Sequence, residues 1–131
     1  MRVLERAIEL ARPGNAKIVL LHVLRDADYP TRIVLSNKLW EEVRSRCEGR
    51  LEKLQSEKIG DSVRSRVLLS EGVPATAIAD AAAEHSIDLI VLGCHGVPGR
   101  RKFLLGTTTE RVARIAPCSV YVEKEKGLAS K

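Results

Sequence analysis

Aromatic side chains are nearly absent: the 131-residue chain has one Trp, two Tyr and one Phe. Single-stranded nucleic acids are bound by stacking bases on aromatic rings, so Tyr29, Trp40, Phe103 and Tyr121 alone argue against that class of partner. Cysteine is also scarce. Cys47, Cys94 and Cys118 are an odd number in no metal-ligand spacing, which reads as reduced thiols in a cytoplasmic protein. No apolar run approaches the roughly 18 residues of a membrane span. The first twelve residues mix Arg and Glu with aliphatics, unlike a secretory signal. Internal repeats, linkers and low-complexity tracts are missing too. Hydrophobic residues make up 44% and charged residues 30%, a balance that excludes a disordered chain. A single domain of this size buries about two-thirds of the surface its unfolded form exposes, enough for a core without staples.

The net charge of +5 is local. Residues 1–92 carry 14 Lys+Arg against 14 Asp+Glu, whereas residues 93–131 carry 8 against 3. A local basic excess beside glycines points to an anionic partner.

Hydrophobic periodicity sets the organisation. Val3, Leu4, Ala7, Ile8 and Ala11 fall at helical spacing, and Pro13-Gly14-Asn15 stops that helix. Ile18 to Leu24 is a nearly continuous apolar run, the pattern of a strand covered on both faces; His22 within it reads as a core histidine. Asp26 to Thr31 reads as a loop, and Asp26 and Asp28 as solvated. Ser36 can cap a long helix with an apolar stripe of Leu39, Val43, Cys47, Leu51 and Leu54, ended by Gly60-Asp61. Its Arg44, Arg46 and Arg50 read as a solvated face. Val63 to Leu69 alternates with charge, as a half-exposed edge strand does. Gly72 and Pro74 open an alanine-rich helix to about His85. Leu89 to Leu92 is a short buried strand, Thr107 to about Ile115 a helix, and Ser119 to Val122 a last strand. Helices alternating with strands predict an α/β fold with a parallel sheet covered on both faces. The domain spans residues 1–124, and residues 125–131 form a charged tail.

Chemistry concentrates in residues 93–109. Ligands of open parallel sheets bind beyond the carboxyl ends of the strands. Gly93, Gly96, Gly99 and Gly106 follow such an end and lead into a helix. Glycines let backbone N–H groups approach an anion, and the helix start adds its own N–H groups and positive dipole end. Thr107, Thr108 and Thr109 offer hydroxyls, and Arg100, Arg101 and Lys102 lie between. The alternative is a connecting loop with turn glycines and a solvated basic cluster. Neither a Walker A loop nor the G-x-G-x-x-G fingerprint is present.

Gly93, Gly96 and Gly106-Thr107 form the pattern G-x2-G-x9-G-[S/T], which resembles the nucleotide-binding motif of the universal stress proteins, the UspA-like family. The flanks agree. Asp88 to Gly96 resembles the family's fourth strand and turn, and Gly106 to Val112 the start of its last helix. Ala116 to Val120 resembles the lead into its fifth strand, Leu21-His22-Val23 the end of its second strand, and Gly72-Val73-Pro74 the start of its third helix. The resemblance implies a doubly wound, mostly parallel five-stranded sheet in the order 3-2-1-4-5 and homodimers paired through the last strand. It also implies ATP, with or without Mg2+, at the carboxyl ends of the strands. Val23 would meet the adenine; Gly93, His95 and Gly96 would line the ribose and phosphates; Gly106, Thr107, Thr108 and Thr109 would hold the phosphates.

One departure stands out. Family members open with a strand and an Asp-bearing turn, whereas this sequence opens in what resembles the first helix, with neither before Glu5. A shortened start, direct pairing of the strands on either side, or a strand from elsewhere in the slot would each account for it. The sequence contains no nucleophile beside a base and no metal cluster, so no catalytic residue or metal ligand is assigned. His95 reads as a positioning or turn residue, Cys94 as a small turn residue, and Cys47 and Cys118 as core. The expected role is adenine-nucleotide binding in stress response or signalling as a dimer, with an unknown protein partner. The alternatives are a dimeric interaction scaffold that no longer binds nucleotide and a slow ATPase.

Overall fold

The computed structural model describes residues 2–25, 37–94 and 106–124. In chain order these form α1 (Arg2–Ala11), β1 (Ile18–Leu24), α2 (Asn37–Leu54) with a π-helical turn (Gln55–Ile59), and β2 (Ser65–Glu71). Then come α3 (Pro74–Glu84), β3 (Leu89–Gly93), α4 (Thr107–Ile115) and β4 (Ser119–Glu123). The class is α/β with parallel strands. β1 pairs with β2 from Ile18 opposite Ser65 to Leu24 opposite Glu71. β3 pairs with β4 from Leu89 opposite Ser119 to Gly93 opposite Glu123. These are the two pairs that flank the first strand in the order 3-2-1-4-5. A direct β1–β3 ladder is not among the described pairings.

The chain divides into two compact units, residues 8–74 and residues 1–7 with 75–131. In the first, α2 lies along β1 and β2. Trp40 is buried while Val43, Cys47, Leu51 and Leu54 are half-buried. The spacing 3-4-4-3 from Trp40 follows one helix face. Leu39, expected in that stripe, is 47% exposed. Arg44 is not simply solvated: it bonds Glu41 at 3.0 Å and reaches Glu71 of β2 at 3.5 Å. His22 is exposed on β1, which corrects the core reading. Val63, expected to start the second strand, is buried just before it. The π turn closes with the Gly60 N–H on Gln55 O at 2.8 Å, at a φ of +53° that suits glycine. Beyond β2, the Gly72 N–H donates to Leu24 O at 3.0 Å and ties the carboxyl ends of β1 and β2.

In the second unit, Ala75 and Ala82 of α3, Ile90 of β3 and Val112 of α4 form a buried cluster, with Ile78, Leu92, Cys118 and Val120 packed against it. The alanines let the helix approach closely, as their number in the sequence implied. Val112 has no exposed surface, so α4 is docked by its middle turn. All three cysteines are free thiols; Cys94 is buried and the other two are half-buried.

Candidate functional site

The site grows out of the carboxyl end of β3. Its aliphatic run ends on Gly93, which still belongs to the ladder, opposite Glu123. Cys94 follows, 6% exposed. The chain returns at Gly106, the residue that starts α4. Gly106 has φ −66° and ψ 156°, extended values open to any residue, so its identity is not a matter of conformation. The consequence is chemical. Helix starts leave their first N–H groups without intrahelical partners, and Ser, Thr, Asp or Asn side chains ordinarily accept from them. Here the N-cap is a glycine, and among the described residues no side-chain cap bond is made to α4. The first turn of helical bonding begins with the Glu110 N–H on Gly106 O at 3.0 Å. The amides of Thr107, Thr108 and Thr109 therefore precede the helical ladder, at the positive end of the helix dipole.

The three threonines differ in placement. Thr107 is exposed and Thr108 half-buried. Thr109 is buried, and its hydroxyl donates to the Gly93 carbonyl at 2.8 Å. A threonine hydroxyl has a single proton to donate, so that of Thr109 is committed to the strand. Gly93, Gly106, Thr107, Thr108 and Thr109 are thus brought together in one unit. Val23, half-buried near the carboxyl end of β1, belongs to the other unit. His95, Gly96, Gly99 and the basic cluster Arg100, Arg101 and Lys102 lie outside the described residues, as do Asp26, Asp28 and Ser36.

One cluster went unseen in the sequence. Glu123, 7% exposed at the end of β4, accepts from Arg6 Nε at 2.9 Å and from Arg2 Nη2 at 3.3 Å. The two arginines are four residues apart and share one face of α1. The hydrogen bond from Arg6 holds the Glu123 carboxyl below its ordinary range; burial pushes the other way, and the charge of Arg6 and then Arg2 add to the lowering. Since Gly93 pairs with Glu123, this neutralised carboxylate is the in-register neighbour of the first motif glycine. Among the described residues an open groove of about 600 Å3 lies at the amino end of β2, lined by Gln55, Gly60, Asp61, Arg64 and Ser65 among others. It is at the wrong end of the strands for a ligand of this fold class.

Residues 1–124 match the sequence model of the Usp family, the universal stress protein family. The chain belongs to the universal stress protein family. Universal stress protein YxiE of Bacillus subtilis is 25% identical over 130 residues, covering 92% of this chain and 88% of the relative. Among solved structures, protein MJ0577 superposes with a TM-score of 0.79 at 22% identity, over 95% of this chain and 86% of that one. MJ0577 comes from Methanocaldococcus jannaschii. Universal stress protein UspA of Lactobacillus plantarum superposes with a TM-score of 0.70 at 30% identity, over 92% and 86%. Among the described residues no helix is long and apolar enough to cross a membrane, and no cluster of ligating side chains could hold a metal.

Proposed function

We propose that this universal stress protein binds ATP or a related adenine nucleotide through residues 93–109 and acts as a dimer in cytoplasmic stress response or signalling. One observation carries the reading: the N-cap of α4 is Gly106, and among the described residues no side-chain cap bond is made to its first turn. Helix starts of this kind take phosphate oxygens on their N–H groups, and the dipole favours the negative charge. A universal stress protein solved in complex with cAMP has the same fold, with a TM-score of 0.57 at 22% identity over 94% of this chain and 85% of that one.

In this reading the amides of Thr107 and Thr108 and the Thr107 hydroxyl meet the phosphates. Gly93, His95 and Gly96 line the ribose and phosphates. Mg2+ would enter with the nucleotide's own phosphates. Residues 1–124 act as one domain. Among the described residues β4 pairs with β3 alone, and its outer edge is the surface we assign to a second copy. Titration with a fluorescent ATP analogue tests the reading. Saturation that unlabelled ATP reverses is expected. Absence of binding at millimolar ligand would leave the dimeric scaffold as the function.

A further inference from the structure

We infer that Thr109 is a positioning residue of the nucleotide site, acting through the carbonyl of Gly93 and not on the nucleotide itself; the inference rests on the nucleotide-binding reading. Thr109 is 6% exposed, and its one donatable proton goes to Gly93 O at 2.8 Å, across 16 residues of chain. That bond joins the two ends of the motif loop: the last residue of β3 and the first turn of α4. A carbonyl lies in the rigid plane of its peptide. Holding the Gly93 oxygen therefore fixes the Gly93–Cys94 plane and the direction in which the chain leaves the strand. The same bond fixes where the first turn of α4 stands relative to that exit. A phosphate held by both segments needs them at one separation before it arrives. An ordered site avoids the entropy of arranging them on binding.

The bond is separable from the fold. α4 is docked by Val112, with no exposed surface, against Ile90, Ala75 and Ala82. Removing the hydroxyl leaves that cluster whole. The unit should thus still assemble, less stable by the one lost bond, while the loosened loop ends weaken phosphate binding.

Thr109→Val keeps the shape and removes the donor; Thr109→Ser keeps the donor and removes the methyl. ATP and adenosine affinities are measured for each variant and the wild type by calorimetric titration, beside urea unfolding midpoints. Thr109→Val should weaken ATP about five- to tenfold, the worth of one net hydrogen bond. Its adenosine affinity should stay at the wild-type value, and Thr109→Ser should hold ATP within about threefold of wild type. Equal ATP affinity in wild type and Thr109→Val would overturn the inference while leaving nucleotide binding intact. An equal loss of ATP and adenosine would also overturn it, as would a Thr109→Ser variant as weak as Thr109→Val. A wild-type protein that binds neither ligand would overturn the nucleotide reading itself, and with it this inference. If Thr109→Val does not fold, Thr109→Ala against Thr109→Ser provides the same comparison.

Discussion

Replacing Gly106 with Asp sets the helix against its ligand. The position has φ −66° and ψ 156°, the extended conformation of a helix-capping residue, so an aspartate needs no backbone change. Its carboxylate would accept from the amide of Thr108 or Thr109, as an N-cap side chain does. Asp in place of Gly at such a position stabilises a helix by a few tenths of a kcal/mol, and a negative charge at the dipole's positive end adds about 0.3–1 kcal/mol. The nucleotide loses what the helix gains. Hydrogen bonds to a charged group are worth about 1.5–3 kcal/mol each, so surrendering the Thr108 amide costs about 1.5 kcal/mol at the lower end. That is on the order of tenfold in affinity. Repulsion between two negative charges about 4 Å apart adds about 1 kcal/mol in water and more where water is excluded. The assay pairs ATP titration with urea unfolding. Gly106→Asp should lose ATP binding by about fiftyfold and unfold at equal or higher urea. Gly106→Ala separates bulk from competition, because it adds a Cβ without an acceptor and should lose far less affinity. If Gly106→Asp binds ATP within about threefold of the wild type, the α4 amides do not hold the phosphates. An equal loss in Gly106→Ala would mean that space, not amide competition, decides binding.

Two further outcomes follow from the packing. The Arg6 and Arg2 bonds lower the Glu123 pKa, so their stabilisation is complete above the ordinary glutamate value of about 4.3 and is lost as the pH falls through the lowered folded value. Glu123→Gln should flatten the dependence of the urea midpoint on pH below about 5, and an unchanged slope would count against the cluster. Val112→Ala removes two buried methyl groups, about 1.6 kcal/mol of transfer free energy, and leaves a cavity, for a total of roughly 2–3 kcal/mol in urea unfolding. A loss below about 0.5 kcal/mol would mean that α4 is docked by something other than its middle turn.

Local pattern revealed the elements well where one signal acts alone. Ile18–Leu24 is aliphatic almost throughout and is a strand over those residues; Thr107–Ile115 is the last helix as expected. Gly93 misleads because a glycine after an aliphatic run reads as the turn, yet its backbone still pairs with Glu123. On α2 two candidate stripes overlap, starting at Leu39 or at Trp40. Periodicity alone did not separate them, although a buried indole is the larger prize in apolar area. His22 sits in an apolar run, and no local signal tells which side of the strand is covered. At the site, the glycine that caps α4 was visible as a motif letter, but its meaning as a missing acceptor needed the backbone angles. The Thr109–Gly93 bond spans 16 residues, and the Arg2–Glu123 and Arg6–Glu123 bonds span 121 and 117. Pairings of that range depend on the completed tertiary structure and leave no periodic trace.

The Arg2–Glu123 contact also bears on synthesis. A bond between residues 2 and 123 cannot form until the 121 positions of chain that separate them have been made, and closing so long a loop is entropically slow. The first residues on α1 thus wait for the last strand while the segment between them emerges. A ribosome paused before β4 would hold a chain in which Arg2 and Arg6 are made while Glu123 is still unmade.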